Sequence, residues 1–240
     1  MVQAVRLPVN GGKRGALAAG FARATGDIFV TVDSDSVIAR GTLLAIAGPF
    51  RNECVGVVAG KVCVLNRFRS LLPRMLHVRF VLSFDFLRSV QSTYGAVYQR
   101  SAVVHTMAPE SYRKLCKMLL RWDRSYIREE LRLWKIMWRL RAPALLLTLL
   151  ETVITNLRYP VAYSSLVLMF YLCVQDPWTI VRFALSIGVV AIFYTLYFFH
   201  SERSREFLFG IAYAYFYIVS LVWIFPYALF TVRNRAWMTR

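Results

Sequence analysis

Residues 26–41 read GDIFVTVDSDSVIARG, an apolar run that ends in two aspartates separated by one serine. Isoleucine, valine and phenylalanine favour extended backbone, so the stretch DIFVTVD predicts a buried β-strand. Asp33 and Asp35 are then expected at the carboxyl end of that strand. Because unpaired charge beside a buried strand is costly, the two carboxylates are expected to bind a partner.

The flanking sequence alternates between helix and strand signals. A glycine-led turn and an alanine-rich helical pattern occupy residues 10–24, a second helix is predicted over 41–50, and a second strand over 54–65. This alternation is typical of βαβ units with a mostly parallel sheet. Ligands of such sheets collect at the carboxyl ends of the strands, which is where the aspartate pair is predicted.

The composition indicates a membrane protein that has a soluble part. The 240 residues are 58% hydrophobic and carry a formal net charge of +17, and their mean hydropathy is +0.47. An arginine excess in a membrane protein is typical of cytoplasmic segments that face anionic lipid and nucleotides. Nucleic acid is not an expected partner, because the arginines lie between apolar helices and not on an aromatic-studded basic face.

Apolar residues recur at helical spacing from about residue 69 to 91. An amphipathic surface helix is one interpretation, and a helix lying in the membrane interface is the preferred one because apolar runs follow it. We expect residues 1–98 to form the α/β domain and residues 99–141 to hold a last strand and an amphipathic helix. Residues 142–240 are expected to form the membrane domain.

Three segments of the membrane domain carry no charge, and each is near the roughly 20 residues needed to cross a bilayer. They are residues 159–175, 183–199 and 207–232. Residues 142–157 contain Glu151 and are either a fourth span or an interfacial segment, and Pro226 is a potential break in the last run. The arginines after residue 232 favour a cytoplasmic C-terminus. Residues 121–141 are expected on the same side of the membrane, so the number of crossings should be even, and four crossings are preferred over three.

The aspartate pair suits a hard divalent cation. Asp33 and Asp35 can both reach one Mg²⁺ or Mn²⁺ and leave positions open for diphosphate oxygens. Capping or turn aspartates before Gly41 are the alternative.

Three further residues are candidates for contacts with a nucleotide sugar. Lys13, about 20 residues upstream, is placed for a phosphate or uracil contact. Further on, Arg121 and Trp122 lie together on the predicted amphipathic helix. The guanidinium suits diphosphate, and the indole suits either one wall of a sugar site or a membrane-interface position.

These stretches resemble the processive family 2 glycosyltransferases, most closely the membrane hyaluronan synthases, and they are also similar to nodulation chitin-oligosaccharide synthases. The matching stretches occur in order along nearly the whole chain: VNGGKRGAL, VTVDSDSVI, GKVCVLN, SFDFLRSVQSTYGAVY, LLRWDRSYIREELRLWKIM and LFTVRNRAWMTR. The resemblance implies a partial GT-A-like nucleotide-sugar transferase domain of class α/β, followed by an α-helical transmembrane bundle.

The resemblance also implies roles for individual residues. Lys13 would contact the UDP donor, Asp33 and Asp35 would hold Mg²⁺ or Mn²⁺ on the diphosphate, and Arg121 with Trp122 would close over the nucleotide. Two further residues would line the acceptor path: Arg88 and Gln91. The implied reaction is inverting transfer from UDP-GlcNAc and UDP-GlcA to a growing β-linked polysaccharide, which the same protein exports across the plasma membrane. The transferase part would be cytoplasmic, and oligomer formation is left open.

The chain departs from the family pattern at three places. The family's N-terminal spans and first uridine-binding strand have no counterpart before Met1, and Met118 replaces the glutamine of the family's Gln-x-x-Arg-Trp motif. The acidic segment that supplies the general base is missing, and Glu110 is the lone carboxylate between Gly95 and Arg121. The chain is therefore expected to be truncated at its N-terminus and internally deleted, and to bind UDP weakly while polymerising slowly or not at all. A different β-glycan synthase and a non-catalytic remnant or scaffold are the alternatives.

Overall fold

The computed structural model describes residues 4–9, 11–86, 96–139 and 142–233. Three strands form one sheet: β1 (Ser36–Ile38), β2 (Val57–Val64) and β3 (Ala96–Thr106). Their order is β1-β3-β2, with β2 parallel to β3 and β1 antiparallel to it. The α/β class is confirmed. The mostly parallel arrangement is corrected, because the sheet is mixed.

The predicted strand over residues 27–33 is not a strand in the structure. Ile28, Phe29, Val30 and Val32 are between 40% and 50% exposed, and the first strand begins only at Ser36, after the aspartate pair. Extended backbone becomes a strand when a neighbouring strand pairs with its N–H and C=O groups. The described sheet consists of β1, β2 and β3 alone, so the apolar run stays outside it.

Short helices precede and connect the three strands in the first half of the chain. The structure has α1 (Gly12–Phe21), α2 (Thr42–Ala47) with a 3₁₀ turn (Gly48–Arg51), and α3 (Leu71–Phe80) with a π-helical turn (Val81–Phe86). Gly41 precedes α2 with φ of 81°, a left-handed conformation that glycine adopts without strain. The helices and the second strand predicted from the sequence therefore form close to their predicted positions.

Helix α3 lies deeper in the molecule than an amphipathic surface helix would. Met75, Leu76 and Val78 are at most 5% exposed, and His77 between them is 2% exposed. Four consecutive buried residues cover all sides of a helix, so α3 is enclosed by neighbours instead of presenting one polar face. The position of this helix relative to a membrane stays a prediction, and residues 87–91 of the predicted helix lie outside the described residues.

Long helices make up the second half of the chain. They are α4 (Tyr112–Ile136) with a 3₁₀ turn (Met137–Arg139), α5 (Ala142–Gln175), α6 (Thr179–Glu202), α7 (Phe207–Phe216) with a π-helical turn (Tyr217–Leu221), and α8 (Ile224–Phe230). Within the described residues, two helices are long and apolar enough to cross a membrane, over Leu145–Gln175 and Thr179–Glu202. A third crossing is counted if Phe207–Leu221 and Ile224–Phe230, which are bent by 46°, form one span.

The preferred count of four crossings is corrected by helix α5. The two predicted segments 142–157 and 159–175 form one continuous helix with Pro160 inside it, so they are not separate crossings. At 1.5 Å per residue this helix is about 50 Å long, which exceeds the roughly 30 Å hydrocarbon core. The last run does break, but between Leu221 and Ile224, and Pro226 lies in the first turn of α8, where its missing N–H has no intrahelical partner to lose.

Candidate functional site

The two aspartates lie at the edge of the sheet where the parallel strands end. Ser36, which directly follows Asp35, is paired with Thr106 at the end of β3, and Thr106 is paired with Val64 at the end of β2. Since β1 runs antiparallel to β3, the beginning of β1 meets the ends of the other two strands. Asp33 and Asp35 therefore lie at the predicted edge of the sheet, although they precede strand β1 instead of following a strand.

Lys13 and Asp33 form an ion pair at this edge. Lys13 is the second residue of α1, which begins at Gly12 with φ of 68°, and the side chains of Lys13 and Asp33 are 53% and 59% exposed. An ion pair this exposed is weak, because water screens both charges. A phosphate could therefore replace Asp33 as the partner of the Lys13 ammonium, and a cation could replace Lys13 as the partner of the Asp33 carboxylate, at little cost in free energy.

The aspartate pair fits part of a magnesium or manganese site. Among the residues that the structure describes, no group of three or more His, Cys, Asp or Glu side chains is placed to hold a metal ion. Mg²⁺ commonly binds through one or two carboxylates and completes its shell with water and substrate phosphates. Asp33 is exposed and Asp35 is half-buried, so their donor set fits a cation that arrives with a diphosphate.

A polar bridge closes the same edge beyond the ends of β2 and β3. The buried Asn66 side chain accepts from the Ala108 backbone N–H at 2.9 Å and donates to the Ala108 carbonyl at 3.0 Å and to Glu110 Oε1 at 2.8 Å. Arg69 donates to the same carboxylate oxygen at 3.3 Å. The Asn66 hydrogen bond, followed by Arg69, lowers the pKa of Glu110. A lowered pKa makes this carboxylate a weaker proton acceptor, which argues against its use as a general base.

Trp122 is packed among side chains of α3 and the turn that follows it. Its ring centroid lies 5.8 Å from that of Phe80 and 6.3 Å from that of Phe84, and the Arg79 guanidinium lies 5.7 Å from the indole centroid. Arg121 beside it is half-buried. The contacts described for Trp122 belong to this aromatic cluster, and those described for Lys13 and Asp33 belong to the sheet edge. The nucleotide and acceptor roles of Arg121 and Trp122 stay predictions.

Other predicted residues are located as follows. Arg88 and Gln91, predicted on the acceptor path, lie outside the described residues. Trp134 and Trp138 pack edge to face at 5.6 Å and are 51% and 56% exposed. Exposed tryptophans near the end of an amphipathic helix are typical of a membrane–water interface, which is the position we expect for these two.

A polar cluster between the sheet and the end of α6 was missed in the sequence. Lys61 of β2 pairs with Glu202, the last residue of α6, and Arg67 lies 3.8 Å from Glu206 in the loop that follows. His77 of α3 completes the cluster through Arg67, whose Nη1 is 3.1 Å from His77 Nε2. Lys61 inside an otherwise apolar strand was the available signal, because a charge there requires a partner.

Comparison with known proteins gives one family match. Residues 1–105 match the model of glycosyl transferase family 2. An N-acetylglucosaminyltransferase of Mesorhizobium japonicum is 33% identical over 109 residues, which are 42% of this chain and 26% of that protein. An N-acetylglucosaminyltransferase of Azorhizobium caulinodans is 34% identical over 113 residues, 43% of this chain and 28% of that protein. A hyaluronan synthase of Streptococcus pyogenes is 33% identical over 108 residues, 41% of this chain and 26% of that protein. The matches thus span about a quarter of the length of these curated relatives.

Proposed function

We propose, from the premise that residues 1–105 form a glycosyl transferase family 2 domain, that this protein is a membrane glycosyltransferase. It transfers sugar from a UDP-linked donor to a growing β-linked polysaccharide. The observation that carries the proposal is the sheet edge at which Asp33, Asp35 and Lys13 meet the ends of β2 and β3, since parallel strand ends are where α/β sheets bind nucleotides.

The donor half of the site follows from the charges at that edge. The carboxylates of Asp33 and Asp35 provide oxygen ligands for Mg²⁺ or Mn²⁺, and the Lys13 ammonium provides a counter-charge for a phosphate. A cation held by these carboxylates would neutralise the charge that develops on the leaving UDP. Lys13 orients the diphosphate once it releases Asp33.

The acceptor half of the proposal depends on the helices that follow the domain. Arg121 and Trp122 lie on α4, which leads to the candidate spans. Both are proposed to close over the nucleotide, with the Arg121 guanidinium pairing with the diphosphate and the Trp122 indole forming one wall of the adjoining sugar site. Arg88 and Gln91 are proposed to line the path of the acceptor. UDP-GlcNAc and UDP-GlcA are the proposed donors, with polymer export through the helices of the plasma membrane and the transferase part on the cytoplasmic side.

Catalysis by this chain is proposed to be slow. An inverting transfer needs a base within hydrogen-bond reach of the acceptor hydroxyl. Glu110 is the lone carboxylate of the sequence between Gly95 and Arg121, and it is engaged by Asn66 and Arg69. Donor binding without efficient polymerisation is the expected behaviour.

Two alternatives have specific support. A chitin-oligosaccharide or other β-glycan synthase is supported by the two relatives named N-acetylglucosaminyltransferase, which are as similar to this chain as the hyaluronan synthase is. A non-catalytic membrane remnant or scaffold is supported by the lack of an identified base. These alternatives differ in whether UDP is released and in which donors are consumed.

The test uses the full chain purified in lipid nanodiscs. UDP is titrated in the presence of Mn²⁺ for the wild type, Asp33→Asn, Asp35→Asn and the matched control Asp27→Asn, an exposed aspartate of the same segment. We expect saturable UDP binding that weakens at least about tenfold in the first two variants and is unchanged in the control. Equal binding by all four proteins would overturn the proposal.

A second measurement separates the alternatives. Release of UDP is measured with UDP-GlcNAc alone and with UDP-GlcNAc plus UDP-GlcA. Consumption of both donors supports the hyaluronan-type reaction, and consumption of UDP-GlcNAc alone supports the chitin-type reaction. Slow but measurable release of UDP agrees with the proposed transferase, and metal-dependent UDP binding with no detectable release supports the scaffold.

A further inference from the structure

The junction between β2 and α3 exposes a group of apolar side chains. Leu65, Phe68 and Leu71 are 49%, 64% and 58% exposed, and they lie within residues 65–71, which we call the β2–α3 loop. Single exposed apolar residues are common on protein surfaces, but a group of them is typical of an interaction surface. The middle of α3 is enclosed by protein. The β2–α3 loop is therefore the part of this region that is open to a partner.

Two sets of contacts place the β2–α3 loop beside the connection between α6 and α7. The Arg74 guanidinium lies 5.8 Å from the ring centroid of Phe68 and 5.4 Å from that of Phe209, in the first turn of α7. Arg67 lies 4.6 Å from the Phe68 centroid and 3.8 Å from Glu206, which directly precedes α7. Helix α6 is a candidate span, and α7 begins the bent pair that is counted as a further one. A short connection between two spans lies at the membrane surface, so the loop beside it lies there as well.

The charges that face outward around this connection are positive. The side chains of Glu202 and Glu206 are only 24% and 17% exposed, and each is paired with a basic side chain. Arg203 and Arg205 are exposed and belong to none of the ion pairs among the described residues. Arg69 in the loop is 68% exposed at its side chain, although it also donates to one carboxylate. Exposed apolar residues flanked by arginines are typical of a surface that lies on an anionic bilayer.

We propose that the β2–α3 loop is a membrane-docking surface that binds the anionic lipid leaflet next to the α6–α7 connection. Phe68 and Leu71 enter the headgroup region, and Arg69, Arg203 and Arg205 contact lipid phosphates. The loop follows directly on β2, so this contact ties the sheet edge of the proposed donor site to the bilayer surface. Docking of the loop rests on the proposed membrane location of α6, and it adds the part of the α/β domain that touches lipid.

The test places reporters in the β2–α3 loop of the full chain in lipid nanodiscs. In a background without native cysteines, Phe68→Cys and Leu71→Cys each carry a polarity-sensitive fluorophore, and the lipids carry a spin-label quencher near the headgroup. Both positions are more than half exposed, so the labels put folding at little risk. We expect blue-shifted emission that the lipid-borne quencher reduces. Water-like emission without quenching would overturn the proposal, and so would a shielded label that lipid does not quench, as under a protein partner.

Two control positions separate this inference from the proposed function. Leu44→Cys, at a residue of α2 that is 82% exposed, should emit as in water. Val190→Cys, at a residue of α6 that is 68% exposed, should be quenched by lipids that carry the spin label in the acyl chain. Quenching at position 190 but not at 68 or 71 refutes the docking of the loop and leaves the span intact. No quenching at position 190 overturns the membrane location and the docking with it. If UDP binding fails while the label at position 68 is quenched, the donor site is wrong and the docking stands.

The role of the arginines is tested by changing the lipid charge. The label at position 68 is compared in nanodiscs of phosphatidylcholine and in nanodiscs that also contain phosphatidylglycerol. The ratio of docked to undocked loop should be higher with phosphatidylglycerol. In the double variant Arg203→Gln with Arg205→Gln this ratio should fall about fivefold for each arginine removed. Arg40→Gln with Arg51→Gln, at exposed positions near α2, is the matched control. Equal docking in both lipids, or an equal ratio in the two double variants, would overturn the assignment to anionic lipid.

Discussion

The Lys13 ammonium donates to the Asp33 carboxylate, which joins the first turn of α1 to the aspartate segment across 20 residues of sequence. Both side chains are more than half exposed. An exposed ion pair of this kind contributes about 0–1 kcal/mol to stability. Its consequence is therefore expected in ligand binding and not in folding.

Replacing Lys13 should separate metal binding from nucleotide binding. In Lys13→Met the phosphate loses a charge-assisted partner, so UDP affinity should fall about tenfold. The Asp33 carboxylate at the same time loses a competing cation, so Mn²⁺ affinity measured without UDP should be unchanged or higher. Isothermal titration checks both values. Arg23→Met is the matched control, and a parallel loss of metal and UDP affinity in Lys13→Met would contradict the assignment.

The close approach of α3, α6 and α7 depends on Gly210. A Cβ atom added at this position would lie 2.5 Å from Thr195 Cγ2 and 2.7 Å from Val78 Cγ1. Gly210→Ala should lower the free energy of unfolding by about 1–3 kcal/mol through overpacking. Gly20→Ala in α1, where nothing lies within 4 Å of the added atom, should be neutral or slightly stabilising. Thermal unfolding in detergent compares the two variants. Equal midpoints would show that the side chains of Thr195 and Val78 move aside without loss of stability, and this would contradict the prediction.

Asn66 should be needed for stability at the sheet edge. Asn66→Ala removes the acceptor for the Ala108 backbone N–H and the donor for Glu110. Leaving these groups without a partner should cost about 1–3 kcal/mol. The exposed Asn52, which accepts from the Cys54 backbone N–H at 3.0 Å, is the control, and Asn52→Ala should cost less than about 1 kcal/mol. A larger loss in Asn52→Ala than in Asn66→Ala would rule out this role.

The contacts of Glu110 predict a dependence of stability on pH. Its folded-state pKa is lowered from 4.5, so the ionised form is favoured by folding. The stability it contributes is present above pH 4.5 and is lost as the pH falls through the lowered value. The thermal midpoint of wild type minus that of Glu110→Gln should accordingly be positive near neutral pH and shrink below pH 4.5. Glu53→Gln at an exposed position is the control, and a difference that does not change with pH would exclude the linkage.

The side of the membrane on which each helix end lies can be tested with cysteines. Lys61 of β2 and Arg100 of β3 contact Glu202 and Ser201, so the end of α6 lies against the sheet. The α/β domain beside this helix end is proposed to be cytoplasmic. In a background without native cysteines, Arg205→Cys should therefore react with an impermeant maleimide only after permeabilisation. Gln175→Cys, at the last residue of α5, should react in intact cells because α6, which follows it, is long enough to cross a bilayer. Equal labelling of both positions in intact cells would contradict a crossing by α6.

Local sequence patterns were sufficient for several elements of the fold. The glycine-led α1, the short α2 and the strand β2 formed near their predicted positions, because turn residues and apolar periodicity act over a few residues. The position of Asp33 and Asp35 at the sheet edge was also predicted correctly, but it was inferred from a strand over residues 27–33 that does not form. The run before Asp33 has strand-forming residues, but a strand also needs a neighbour, and no local pattern provides one.

The sequence by itself indicated an α/β domain followed by membrane helices, because the apolar content, the long uncharged segments and the ordered stretches that resemble family 2 glycosyltransferases are properties of the chain alone. Only the tertiary structure decided the mixed sheet, the merging of two predicted spans into α5, the burial of α3 and the polar cluster at His77. Each of these depends on which segments meet across long separations. Long-range contacts such as the ion pair between Lys61 and Glu202 form only when the whole chain packs. The sequence around each residue does not identify the other residue of the pair.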